Sequence, residues 1–311
     1  MAARKTTTRR NPSRKRTGRQ SPSSPKQMLA VLVGLLLLFA LNYFFPEWRS
    51  LFEVVRPVDG TLYVSFIDVG QGDSIFLSYN DETMLIDAGE REYGSVVSDY
   101  IRERGFSQID VVVATHPHSD HIGGMAEVIR NFDVGRVLMP DAQANTQVFE
   151  NMLDAVGDKN IFAETPEPGD SFMFGDAEVT VLAPFEKSED NLNNDSIVLK
   201  VTCGGKVFML TGDAETVVEG QILHAGFDVR AVVLKVGHHG SSSSTGDKFF
   251  QAVSPEIAVI SLGADNSYGH PHREILSKLN DAGIDIYRTD LNGTVIISTD
   301  GVNLNIETDK R

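Results

Sequence analysis

Three imidazoles and a carboxylate crowd into six positions, His116-Pro-His118-Ser-Asp120-His121, directly after the apolar run Val111-Val-Val-Ala. Imidazole nitrogens and carboxylate oxygens are the donors that a borderline-soft divalent cation takes, and a loop lets side chains two apart converge on one point. Two further donor groups also follow apolar runs: Asp213 after Val207–Thr211, and the pair His238-His239 after Val232–Val236. Ends of strands are where α/β folds collect their active sites, so the pattern predicts a metal centre and not scattered surface histidines. Cys203 is the one cysteine, which excludes an intrachain disulfide; lying beside an alternating apolar run, it reads as a small packed residue.

The elements that must hold these residues alternate between the two periods. Strands are expected at Leu62–Ile67, Ser74–Ser78, Thr83–Asp87, Val111–Ala114, Val137–Met139, Val179–Leu182, Ser196–Thr202, Val207–Thr211, Val232–Val236 and Ile257–Ser261. Three more close the chain at Ile284–Tyr287, Thr294–Ser298 and Val302–Ile306, with hairpin signals at Asn80-Asp81 and Gly204-Gly205. Helical spacing falls at Val96–Arg104, Gly124–Asn131, Val148–Val156, Thr216–Leu223, Lys248–Val253 and Arg273–Ala282. Strand clusters mixed with helices in two similar halves predict two sheets packed face to face with helices outside, a four-layer αββα sandwich. No short repeat is visible, which excludes a solenoid.

The motifs in their order resemble the metallo-β-lactamase superfamily and, within it, the hydrolase domain of the ComEC competence proteins. The residues that carry the resemblance are Phe66-Ile-Asp-Val-Gly-Gln-Gly-Asp73, Leu85-Ile-Asp-Ala-Gly89, the histidine motif, Leu210-Thr-Gly-Asp213, His238-His-Gly-Ser241 and Tyr268-Gly-His-Pro-His272. It covers Leu62 to the C-terminus and implies two divalent metal ions, Zn or Mn. His116 and His118 are then expected on the first metal, Asp120, His121 and His238 on the second, and Asp213 between them. Asp87 is expected to orient the histidine loop. His238 is preferred to His239 because it comes first after its strand. Where many members supply a third histidine to the first metal, this chain reads Asn191-Leu-Asn-Asn-Asp195, so Asp195, Asn194 or water takes that place. Such a site is harder and more favourable to Mn²⁺.

The resemblance and the chemistry of paired cations point to a hydrolase acting on phosphodiesters, with external DNA the expected substrate. Asp120 is expected to hold and deprotonate water, with His238 beside it. His239, Ser241, His270 and His272 would support the site or donate to substrate, and Lys235, Lys248, Arg273 and Arg288 offer charge for phosphate. Two alternatives stand beside this: a hydrolase of another ester or phosphoester, and a non-catalytic envelope binding protein on the same fold.

Charge divides the chain in two. Nine Lys and Arg and no acid precede Phe45, leaving 19 bases against 43 acids, a net charge of −24, for the remainder. That acidity runs against the basic footprint usual for nucleic-acid binders. Residues 1–27, rich in Arg, Lys, Ser and Pro, lack the apolar content to fold and read as a cytoplasmic tail. Met28–Phe45 is uncharged and would span roughly 27 Å as a helix, close to the ~30 Å hydrocarbon core. Tyr43, Phe44, Phe45 and Trp48 supply an interfacial belt, and Pro46 stops the helix. No small-residue cleavage site follows, so the run reads as a single transmembrane signal anchor. The division expected is tail 1–27, anchor 28–45, linker 46–56 and hydrolase domain 57–311. A single anchor here stands in the place of ComEC's many membrane helices. By the positive-inside rule, a reporter fused after Arg311 should be accessible from outside the membrane, and its detection only inside the cell would overturn this topology.

Overall fold

The computed structural model describes residues 58–188 and 190–310. The expected tail, anchor and linker lie outside them. Among the described residues no helix is long and apolar enough to cross a membrane.

The first sheet is built from β1 (Leu62–Phe66), β2 (Ile75–Tyr79), β3 (Glu82–Ile86), β4 (Gln108–Val113), β5 (Asp133–Leu138) and β6 (Phe162–Glu164). The second comprises β7 (Ser171–Phe174), β8 (Ala177–Ala183), β9 (Val198–Cys203), β10 (Lys206–Leu210), β11 (Val233–Lys235), β12 (Ile257–Ile260) and β13 (Asp285–Arg288). The chain then returns to the first sheet, where β14 (Val295–Thr299) lies against β1 and β15 (Leu304–Thr308) forms the edge. β3 to β6 run parallel, as do β10 to β13, while the remaining pairs are antiparallel.

Strands covered on both faces must be apolar on both, which is why Val111, Val112 and Val113 run without a polar break. Val111 and Val113 face the core between the sheets with Val64, Val179, Phe208 and Val233, whereas Val112 faces outward with Leu85. The outer face of the first sheet packs against α1 (Gly94–Glu103), α2 (Ser119–Ile122), α3 (Met125–Asn131) and α4 (Gln147–Asp158), through Val97, Ile101, Ile122, Met125, Val128 and Phe149. Thr146 caps α4 by accepting the Phe149 N–H at 3.3 Å. On the second sheet α5 (Thr216–Ala225) and α6 (Asp247–Val253) bury Val218, Ile222, Phe249 and Val253 against Met209 and Leu234. Next to them α7 (Arg273–Asp281) presents Ile275 and Leu279, one helical turn apart, to Ala258 and Ile260. The four αββα layers are those the two periods predict. The short helix α8 (Thr289–Asn292) links β13 to β14.

Every expected strand is present to within a few residues; β6, β7, α2 and α8 were not anticipated. β6 is three residues at an edge of the first sheet with Phe162 exposed, and β7 is an edge of the second sheet with Met173 exposed. An edge strand exposed on one face carries too little apolar patterning to announce itself. Both hairpins form, with Asn80 and Gly204 at positive φ in the turns.

Phe208 is fully buried between the sheets, so Phe208→Ala should lower the unfolding free energy by about 3–5 kcal/mol in urea denaturation. Phe162→Ala, at the exposed edge, should change it by no more than about 0.5 kcal/mol. Equal losses would mean the core is misassigned.

Candidate metal centre

The parallel strands of both sheets deliver their C-terminal ends to one edge. From the first sheet come Asp87 after β3 and His116 to His121 after β4; from the second come Asp213 after β10, His239 after β11 and Ser261 after β12.

Asp87 is fully buried and in the left-handed region, φ 59°. Its Oδ1 accepts the Thr115 N–H at 2.8 Å and its Oδ2 the Thr115 hydroxyl at 2.6 Å. The same Oδ2 lies 2.7 Å from His121 Nδ1. With Nδ1–H donating there, His121 Nε2 is aimed into the centre, 3.3 Å from Asp213 Oδ2. Asp87 thus has both oxygens engaged by the histidine loop.

His116 sets its Nδ1 between the hydroxyls of Thr115 and Ser196, at 3.1 and 3.3 Å, and brings its Nε2 to 2.9 Å from His118 Nδ1. Burial and the neighbouring His121 charge push His116 well below the ordinary histidine pKa, so it is neutral. Asp213 is the meeting point. Its Oδ2 lies 3.3 Å from His121 Nε2, 3.4 Å from His239 Nε2 and 3.6 Å from His238 Nε2. Gly212 before it takes φ 51°, and a Cβ there would press on Ser196 and Thr115.

Donor atoms gather within 4.8 Å of one another in the sets His116–His121–Asp213 and Asp120–His121–His239. His121 Nε2, His239 Nε2 and Asp213 Oδ1 are buried with no hydrogen-bond partner. Buried polar atoms are nearly always satisfied. Three lone-pair donors converging unpaired are what a divalent cation satisfies, so the residues fit the expected group.

Residues 67–264 match the family model described as the metallo-beta-lactamase superfamily. The chain belongs to that superfamily. This metallo-β-lactamase chain is 34% identical over 250 residues to ComE operon protein 3 of Bacillus subtilis (strain 168), covering 75% of this chain and 32% of that protein. It is 30% identical over 282 residues to Competence protein ComA of Neisseria gonorrhoeae, covering 87% and 38%. The chain therefore spans about a third of the length of these relatives. Among solved structures, the metallo-beta-lactamase fold protein YhfI of Bacillus subtilis superposes with a TM-score of 0.53 at 11% identity, over 76% of this chain and 100% of that one. That likeness concerns the fold.

Three ligand expectations differ from the geometry. His118, expected on the first metal, falls outside every donor set; its Nδ1 lies 2.9 Å from His116 Nε2. His238 was preferred on the second metal, but it is His239 whose Nε2 meets Asp120 Oδ2, at 3.3 Å. The reason is tautomeric. His239 Nδ1 donates to the Ser261 carbonyl at 2.9 Å, which frees Nε2, and the ring is buried. His238 is partly exposed, and its Nδ1 turns to Ser243 Oγ at 3.1 Å and Glu215 at 3.6 Å. Both histidines sit at positive φ, 50° and 53°, so one sharp turn sends adjacent side chains to different places. Asp195 is likewise outside the donor sets. Its Oδ1 accepts the Ser188 N–H at 2.7 Å, and the residue lines a cavity of about 620 Å³ with Pro140, Lys187 and Phe227. Asn194 is bonded to the Glu215 N–H at 3.3 Å. Ser196, in contact with His116 and the Asp213 N–H, fills the inner wall instead.

The serines and outer histidines form a collar. Ser241 and Ser243 hydroxyls lie 3.0 Å apart, and His272 Nδ1 accepts the Ser242 N–H at 2.9 Å, so the loop is held by its own bonds. Glu219 grips its far end through the N–H groups of Thr245 and Gly246, and burial pushes this carboxyl up to about 7. His270 stacks between Tyr268 and His239, with centroids at 5.6 and 6.3 Å. Burial and the imidazoles of His239, His238 and His272 lower it to about 4, which leaves a neutral ring at the mouth. Neither Lys235 nor Arg288 is free for phosphate. Lys235 is fully buried, 2.8 Å from Asp73, and Arg288 is paired with Asp290. Lys248 and Arg273 are exposed.

Asp73 had not been singled out as a site residue. The signals were a carboxylate closing the glycine-rich run Gly70-Gln-Gly-Asp73 and a lysine inside the apolar strand Val233-Leu-Lys235.

His239→Ala and Asp213→Ala should each lower the divalent ions bound per chain, measured by metal analysis after dialysis, while His238→Ala keeps most of them. A full complement in His239→Ala would return the ligand role to His238.

Proposed function

We propose that this chain is a metal-dependent phosphodiesterase, anchored by Met28–Phe45 with its hydrolase domain outside the cell membrane, and that its substrate is external DNA. The observation that carries the chemistry is Asp213 Oδ2, one oxygen set between the His116–His121 set and the Asp120–His239 set. A carboxylate so placed could help to hold two cations, with His116, His121, Asp120 and His239 supplying the other donors. When bound, two divalent ions supply the positive charge that acidifies water and stabilises the anionic oxygens of a phosphodiester transition state.

The chain's own residues provide the rest. Burial raises the pKa of Asp120, but His121 and His239 outweigh it and hold the carboxyl below its usual range, so Asp120 is an anion able to orient water. It is partly exposed, which admits that water. The neutral His270 can donate an N–H to an uncharged or anionic oxygen without adding charge to the mouth. The likeness to two competence proteins supports DNA as substrate. The net charge of −24 beyond Phe45 favours a second reading, a smaller ester or phosphoester whose approach the acidic surface opposes less.

With Zn²⁺ or Mn²⁺ the protein should cleave single- or double-stranded DNA or small diesters. His121→Ala and Asp120→Asn should each lower kcat/KM by roughly 10³-fold or more, without adding when combined. Arg230→Ala, on the exposed pair with Asp228, should change it little. If all diesters survive both metals while another ester is cleaved, the second reading replaces the first.

A further inference from the structure

Beneath the two donor sets lies an ion pair to which the reading above gives no part. Lys235 ends β11. Side chains alternate along a strand, so Lys235 points to the same side as Val233, toward the space between the sheets, at the end where the metal centre closes it. Its ammonium is 0% exposed and sits 2.8 Å from Asp73 Oδ2, with one further bond to the Val236 carbonyl at 3.1 Å. Asp73 is 1% exposed. Its Oδ1 has no hydrogen-bond partner and lies 3.4 Å from His239 Nδ1.

Asp73 is also within reach of the ligands. Its oxygens fall within 4.8 Å of donor atoms of Asp213 and His239, and of Asp87 and His121. Its position is fixed by the backbone. The Asp73 N–H donates to the Asp120 carbonyl at 3.1 Å, and the Asp73 carbonyl accepts the Gly89 N–H at 2.8 Å. A Cβ on Gly72 would lie 2.2 Å from that same Asp120 carbonyl oxygen, so only glycine lets the loop come this close.

The cluster therefore holds four carboxylates, of Asp73, Asp87, Asp120 and Asp213, against one ammonium. Two divalent ions would bring that sum to within one unit of neutrality. A buried ammonium beside divalent cations would be costly unless it were paired, and Asp73 is the carboxylate that pairs with it.

We propose that Lys235 is an internal counter-cation that withdraws Asp73 from the metal-ligating set, so that the pair fixes the charge, and hence the metal affinity, of the centre. This rests on the metal-centre reading but not on the substrate. A pair that served packing alone would respond to either truncation with loss of affinity. A counter-charge pair responds with opposite signs. Asp73→Asn leaves an ammonium uncompensated, which repels cations; Lys235→Met leaves a carboxylate uncompensated, which attracts them.

The test is the affinity of the purified full-length protein for Zn²⁺ and for Mn²⁺ alone, each in competition with a chelating dye. Asp73→Asn should weaken binding about tenfold or more, and Lys235→Met should tighten it by a similar factor. Lys235→Arg and the neutral pair Asp73→Asn/Lys235→Met should stay within about threefold of the parent, with unchanged ion stoichiometry. Should either truncation fail to fold, Asp73→Ser and Lys235→Gln leave room and polarity for water and should carry the same opposite shifts. Shifts of the same sign overturn the proposal. So does loss of one bound ion in the double variant, which would make Asp73 a ligand. A parent protein that binds ions with the expected shifts but cleaves no diester leaves this inference standing and removes the proposed substrate.

Discussion

Crowded negative charge is the constraint on which this end of the molecule depends. Asp73, Asp87 and Asp213 are buried and Asp120 is partly exposed, all at one edge where two sheets meet. Carboxylates do not gather out of water unless something positive is built in or bound. Each has its own answer: Thr115 and His121 for Asp87, Lys235 for Asp73, the two imidazole sets for Asp213 and Asp120. Burial disfavours a proton on His121, but Asp213, Asp87 and Asp120 reverse this and raise it well above its ordinary pKa. His239 behaves likewise, raised against burial by Asp213 and Asp73. The pull on those protons is the pull a divalent ion would feel.

Holding such a cluster needs backbone conformations that side chains resist. Asp87, His238 and His239 all take positive φ, at the ends of strands whose remaining residues are locked in apolar layers. Strain of this kind costs of order 1–3 kcal/mol per residue and persists where the surroundings over-determine it. Here the surroundings are Val111 to Val113 on one side and Val233 to Leu234 on the other, buried on both faces. The sheets thus act as two rigid jaws, and the loops between them carry the chemistry.

How much of this could be read from the chain depends on the distance over which each feature is decided. The strands and the motif His116 to His121 are local, and both were legible. The choice between His238 and His239 is not, because it turns on which ring nitrogen finds the Ser261 carbonyl on a neighbouring strand. Asp195 misled for the same reason: its oxygen is claimed by Ser188 across a loop that no spacing rule foresees. The partnership of Asp73 with Lys235 joins distant segments, and only the lysine's presence in an apolar strand hinted at it. β6 and β7 were lost because edge strands owe their form to a neighbour's hydrogen bonds.

The first strand also sets a timetable. β1 lies between β2 and β14, with Leu62 registered against both Tyr79 and Thr299. One side of β1 is satisfied almost as soon as it is made. The other keeps its row of open amides and carbonyls until nearly the whole domain has left the ribosome, roughly ten to fifty seconds later at ~5–20 residues per second. Through that interval the nascent chain carries an unpaired sheet edge flanked by Val64 and Phe66, the kind of edge that invites mispairing with other chains. Topology therefore makes β14 the strand that closes this edge of β1, and a holding chaperone would be most useful in the time before it arrives.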